Sequence, residues 1–221
     1  MLESVAIIQL DSPSVVLLML SLLSGVLIVL LRHNFTREWS LAKWTLTDLR
    51  RIQKRSAEEA PSYSGIIIAQ LQGVLAITTI VYGCSLTFDF SFTSINSLLL
   101  GLGFGFASLV IRLLVFFLLG RFTITQNVSV IHNALQRHIS SWLSLTVGVL
   151  ALLFSLRPYL LTVMGQEAFL ISWGFWTIYR VWQVTATSIR SLSRLWWVIV
   201  YLCALEILPV LFIIKLIISV L

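Results

Sequence analysis

The chain has 221 residues, of which 58% are hydrophobic and only 11% charged, against roughly 45–50% and about 25% in soluble domains. So few charges cannot clothe a globule of this size in water, which excludes an ordinary soluble enzyme and a nucleic-acid-binding domain.

A membrane span needs about 20 apolar residues to cross roughly 30 Å of hydrocarbon. Six such runs follow one another: residues 13–31, 65–86, 95–119, 139–156, 168–189 and 195–220. No remaining segment is long enough to fold alone, so residues 1–221 form a single integral membrane domain. The expected fold class is all-α, a polytopic bundle of six transmembrane helices. Outer-membrane barrel strands would instead alternate apolar and polar residues over about ten positions. The first span is not expected to be a cleaved signal peptide, because the twelve residues before it hold no Lys or Arg and no small-residue cleavage site follows.

Positively charged loops stay in the cytoplasm. Arg32, Arg37, Lys43, Arg50, Arg51, Lys54, Arg55, Arg121, Arg137, Arg180, Arg190 and Arg194 all fall on one side of the bundle, whereas Glu3, Asp11, Asp89, Glu167 and Arg157 fall on the other. The expectation is that both termini lie outside and the segment from Arg32 to Tyr63 inside. Cys84 and Cys203 lie within apolar runs, where Cys packs as a small apolar residue, and neither a disulfide framework nor zinc spacing is present.

Between the first two spans, residues 38–55 hold no Gly or Pro. At about 100° per residue from Trp39, Leu41, Ala42, Leu46, Leu49 and Ile52 share one arc, between about 200° and 340°, while Lys43, Arg50, Arg51, Lys54 and Arg55 share the opposite one. This predicts an amphipathic helix at the cytoplasmic surface, its basic face on anionic lipid headgroups and Trp39 and Trp44 at headgroup depth. The same pattern also fits an apolar face packed on the chain's own spans or on a partner.

Within the membrane, Glu206 sits near the middle of the last run. Placing a carboxylate there costs roughly 2.5–3.5 kcal/mol, so it needs a partner or a proton. Pro209 frees the carbonyl of Leu205 and kinks the helix beside the acid. Arg112 and Arg180 each lie on the order of 10 Å from the cytoplasmic end of their spans, and a buried charge cluster of Arg112, Arg180 and Glu206 is expected, with Trp176 one turn from Arg180 to stack on it. The alternative has both arginines reaching for the headgroups and Glu206 protonated. Lys215 reaches the outer face. Gly101 and Gly105 make a small face that lets another helix approach closely.

Catalytic patterns are missing: no His-Glu-x-x-His, no Gly-x-Ser-x-Gly and no nucleotide-binding glycine loop. His33, His132 and His138 all lie near the cytoplasmic end, and the last two, six apart, fall on opposite sides of a helix. Neither an enzyme nor a cofactor is expected.

The run Tyr201-Leu-Cys-Ala-Leu-Glu206-Ile-Leu-Pro209, followed by Lys215, resembles the carboxyl-terminal signature of a family of small bacterial integral membrane proteins known only as a domain of unknown function. The resemblance implies a Gram-negative inner-membrane protein of similar size and supplies no activity. Two function classes follow from the residues. One is a non-catalytic subunit or assembly factor of a larger membrane complex, or a homo-oligomer, docking through Gly101, Gly105 and the cationic helix. The other is a small proton-coupled transporter or channel using Glu206.

Overall fold

The computed structural model describes residues 12–48, 51–52, 62–87, 94–122 and 126–188. Among these every regular element is helical: α1 (Ser12–Asn34), α2 (Thr36–Thr47), α3 (Tyr63–Thr87), α4 (Ser94–Phe122), α5 (Gln126–Leu156) and α6 (Gln166–Ser188). Four helical stretches are long and apolar enough to cross a membrane: Pro13–Asn34, Tyr63–Thr87, Ser94–Leu114 and Ala134–Leu156. The chain is a helical membrane protein. The fifth expected span falls on α6, which is not among those four, and the sixth lies outside the described residues, with Glu206, Pro209 and Lys215.

Pro13 stands in the first turn of α1, where its missing N–H is no loss. At the other end Phe35 leaves helical geometry (φ −126°, ψ 61°) and its ring is seated beside Gly65 at the head of α3. At the opposite end of α3, the Tyr82 hydroxyl meets Ser94 Oγ at 2.7 Å and donates to the Pro13 carbonyl at 3.5 Å. These contacts fix α1 and α3 as antiparallel.

Antiparallel to α3 in turn, α4 comes so close that a β-carbon on Gly101 would lie 2.8 Å from the Thr78 carbonyl oxygen, and one on Gly105 2.8 Å from that of Val74. Thr78 Oγ1 donates to the Gly101 carbonyl at 3.3 Å. The small face at Gly101 and Gly105 is therefore filled by α3 of the same chain and is not open to a partner. Without a hydrophobic drive between helices in lipid, such close backbone approach and interhelical hydrogen bonds hold a bundle together.

Running parallel to α3, α5 packs Ser140 against Gly73. Antiparallel α1 meets it where Ser24 Oγ donates to the Ser144 carbonyl at 3.0 Å and lies 2.9 Å from Ser144 Oγ. Such bonds are worth about 0.6 kcal/mol on average in membrane bundles, so Ser24→Ala and Ser144→Ala are each expected to be mild. A double-mutant cycle read by thermal unfolding in detergent is expected to give a coupling near that figure; strict additivity would show the bond to be energetically idle.

Between the expected fourth and fifth spans, residues 158–165 are helical. Arg157 leaves helical geometry (φ −135°, ψ 76°), Pro158 starts a new turn, and a π-helical turn over Leu161–Gly165 leads into α6. Proline pre-sets a helix's first residue, so α5 and α6 meet with almost no slack. Phe169 then seats its ring where Gly83 leaves room, edge-on to Phe154 at 5.3 Å, and Trp176 Nε1 donates to Thr146 at 3.0 Å. The shared core includes Leu17, Leu75, Ile80, Leu135, Val147 and Phe169.

This arrangement collects cations at one end. Arg32 and His33 close α1, Arg37 and Lys43 lie on α2, and Arg137 sits early in α5; Arg157 and Glu167 lie at the opposite end.

Candidate functional site

The basic end also holds a buried acid. Glu38, in the first turn of α2, is 1% exposed. Its stem lies over Gly65, where a β-carbon would come within 2.7 Å of Glu38 Cγ. From α5, His138, fully buried, brings Nε2 to 3.4 Å from Glu38 Oε2, and Arg37 Nη1 stands 3.5 Å from Glu38 Oε1. Arg137, beside His138 in sequence, acts electrostatically on both Glu38 and His138. One carboxylate, one imidazole and two guanidiniums thus share the junction of α2, α3 and α5.

Two further polar side chains lie deeper along α3. Gln72 on α3 is fully buried, and among the described residues neither of its amide atoms finds a hydrogen-bond partner; nor do Glu38 Oε2 and both ring nitrogens of His138. The Glu38–His138 contact is close but lacks hydrogen-bond alignment. Arg112 Nη1 lies 3.8 Å from where a Gly73 β-carbon would stand, beside Ser140. That is the level at which Gly105 crosses Val74, so the Arg112 side chain runs inward along α4 and away from the basic end, in the backward direction helical side chains favour.

Buried polar groups are nearly always satisfied, and orphans gathered in one place mark bound water, an ion or a functional group. No family model, no curated protein and no solved structure matches the chain. The site therefore has to be understood from its own chemistry. Glu38 and His138 are two metal-ligating types, but the flanking guanidiniums oppose a cation, and the described residues supply no third His, Cys, Asp or Glu to them.

The other residues singled out from sequence are distributed as follows. Arg180 is 7% exposed on α6, and its neighbour Trp176 stacks edge-on with Tyr179 at 5.7 Å. Glu206 and Pro209, and with them the Arg112–Arg180–Glu206 cluster as a whole, fall outside the described residues, as do Arg50, Lys54 and Arg55. Lys43 is exposed, its Nζ 5.7 Å from the Trp39 ring centre. Arg51 is exposed and pairs with Asp48 at 3.1 Å.

The helix expected over 38–55 is interrupted. α2 stops at Thr47, and Asp48 is extended (φ −152°, ψ 92°), its Oδ1 accepting from the Arg51 N–H at 3.4 Å. An aspartate that captures the N–H three residues on ends one helix and caps the next. The buried face of α2 holds Glu38, Leu41, Ala42 and Thr45. Trp142 Nε1 donates to the Ala42 carbonyl at 2.8 Å, and Tyr179 and Gln183 donate to that of Thr45 at 2.9 and 3.4 Å. Leu46, assigned to the apolar arc, is 41% exposed.

Sequence reasoning passed over both members of the central pair. The signal was there for Glu38: on the same 100° plot it falls at about 260°, in the middle of the apolar arc. His138 keeps helical step with Leu135, Ile139 and Trp142, a periodicity hidden by starting the span at residue 139.

Proposed function

We propose that this is a six-span protein of a bacterial inner membrane, with α6 and residues 195–220 as the last two spans, and that it serves as a non-catalytic subunit or assembly factor of a larger membrane complex. An even number of spans puts both termini outside, with the basic end in the cytoplasm. What carries the subunit reading is the use made of interior polar groups. Ser24 is tied to Ser144, Thr78 to Gly101, Tyr82 to Ser94, Trp142 to Ala42 and Tyr179 to Thr45, so they join helix to helix instead of converging on a substrate. Outward, α4 presents Ile95, Leu99, Phe106, Val110 and Phe117, an apolar face for lipid or a partner span. Lys43 and Arg51, with Arg50, Lys54 and Arg55 of the same segment, supply cations for anionic headgroups.

Purification of the tagged chain from native membranes in mild detergent is expected to recover a stoichiometric partner set, read by quantitative mass spectrometry. Recovery of the chain alone would sink the subunit assignment. It would favour the second class, a small proton-coupled transporter or channel using Glu206. Proton flux into vesicles, compared between the native chain and Glu206→Gln, would then decide it.

A further inference from the structure

We propose that the groove between α4 and α6 is the seat of the chain's own carboxyl-terminal run, residues 195–220, and that Glu206 locks it there by answering Arg112 and Arg180. The docking rests on the six-span reading and adds to it a place for the last span.

The helix contacts put α4 and α6 on one side of the bundle. α3 and α5 run parallel, with Gly73 facing Ser140. At about 100° per residue, Gly65, which faces Phe35 at the end of α1, stands on one flank of the direction to α5, and Val74 and Thr78, which face α4, stand on the other. On α5, Ser144 and Gly148 face Ser24 of α1, and Thr146, which accepts from Trp176 of α6, falls on the opposite flank of Ser140. So α1 covers one side of the α3–α5 pair, and α4 and α6 share the other, α4 over α3 and α6 over α5.

Two guanidiniums converge on the floor of that groove. Arg112 Nη1, from α4, comes within 3.8 Å of where a Gly73 β-carbon would stand. Arg180, from α6, is buried. Trp176 is level with Thr146, so Arg180, one turn nearer the basic end, is level with Trp142, close to Ser140. Tyr179 and Gln183 reach across to α2, and on the helical wheel Arg180 lies on the other side of Trp176 from both, toward α3 and α4.

Two cations at one depth within a membrane bundle call for an acid at that depth. Among the described residues the acids are Glu38, Asp48 and Glu167. Glu38 lies over Gly65, about 12 Å nearer the head of α3 than Gly73 is. Asp48 follows α2 and pairs with Arg51, and Glu167 opens α6 at the far end. Of the remaining acids Glu3, Asp11, Glu58, Glu59 and Asp89 stand outside the apolar runs, and Glu206 stands inside one.

Depth and connection agree with this. α6 ends at Ser188 and the last run begins at 195, and so short a connection makes the run an antiparallel neighbour of α6. Glu206 then lies about 16 Å along its run and Arg180 about 12 Å from the end of α6, a difference covered by an arginine side chain leaning back into the membrane. On α4 the flank turned to α6 carries the half-buried Phe104 and Ser108, and the opposite flank the exposed Phe106 and Leu113.

The test joins α4 to the last run. Ser108→Cys lies one turn inward of Arg112, and the native Cys203 lies about one turn from Glu206; with Cys84→Ser these are the chain's only thiols. Membranes holding this variant are treated with copper phenanthroline or a short bismaleimide, and linked peptides are read by mass spectrometry. The expected result is a link between positions 108 and 203 within one chain. Arg180→Glu and Glu206→Arg are each expected to lose most of the accumulated protein, and the two together, which exchange the charges, to recover at least half of it. A link formed only between chains gives the groove to a second copy. No link with either reagent, or losses that add in the exchange variant, gives it to lipid or another subunit, and each of these overturns the proposal. Alkaline phosphatase fused after Leu221 separates the docking from the six-span reading: an active, external fusion without the link sinks the docking alone, whereas an inactive one sinks both.

Discussion

Glu38→Leu is expected to destabilise the folded bundle by about 3–5 kcal/mol, the usual consequence of removing one member of a buried charge group. The carboxylate answers Arg37 at 3.5 Å and His138 at 3.4 Å, and its removal takes a buried counter-charge from beside the Arg37 and Arg137 guanidiniums. The loss should appear as a lowered thermal transition in detergent and reduced accumulation in membranes. Adding His138→Leu is expected to restore at least half of it, because well-packed apolar residues replace a buried ionic pair with little or no penalty, and Arg37, 19% exposed, can reach the headgroups on its long stem. Losses that simply add in the double variant would show that Glu38 and His138 do not act as a pair.

Gly105→Leu is expected to be the most damaging change away from the charges. Its first side-chain atom would lie 2.8 Å from the Val74 carbonyl oxygen and 2.9 Å from Val74 Cγ1, and backbone cannot step aside as a side chain can. Overpacking typically costs about 1–3 kcal/mol and occasionally more; contact with a helix backbone belongs at the upper end. The sign is most telling for alanine. In a free helix Gly→Ala gains about 0.8–1.0 kcal/mol, and Gly103, which has nothing within 4 Å of its β-carbon position, should show that gain. Gly101→Ala and Gly105→Ala should show a loss. Equal effects at residues 101, 103 and 105, measured by thermal unfolding followed by size-exclusion chromatography, would contradict the close crossing of α3 and α4.

The spans were legible because a continuous apolar run of the right length has few alternatives. Residues 65–86 fall within Tyr63–Thr87 and residues 13–31 within Pro13–Asn34. Boundaries drawn at charges were less faithful. A span drawn from residue 139, just after Arg137 and His138, misses the start of the helix, which runs from Gln126, since ionisable side chains packed inside the bundle do not end a helix. The same assumption hides the site: reading the charged residues between the first two spans as one basic surface does not separate out the acid among them. Asp48 shows a different limit. Whether an aspartate sits inside a helix or caps the next one is decided by competition between its side chain and the backbone, and the pattern around residue 48 permits either.

The acceptors of α2 have partners very far along the chain. The Ala42 carbonyl waits for Trp142, and that of Thr45 for Tyr179 and Gln183, separations of 100, 134 and 138 residues. Chains emerge at about 5–20 residues per second, so for roughly 5–30 seconds of each synthesis the Ala42 and Thr45 carbonyls of α2 lack one or more of the donors that answer them. During that interval the nascent protein depends on water, headgroups or an insertion chaperone to shelter this one short helix. A ribosome that stalls before His138 leaves a fragment with helices enough to thread the bilayer and an α2 that has none of its α5 and α6 partners to dock on.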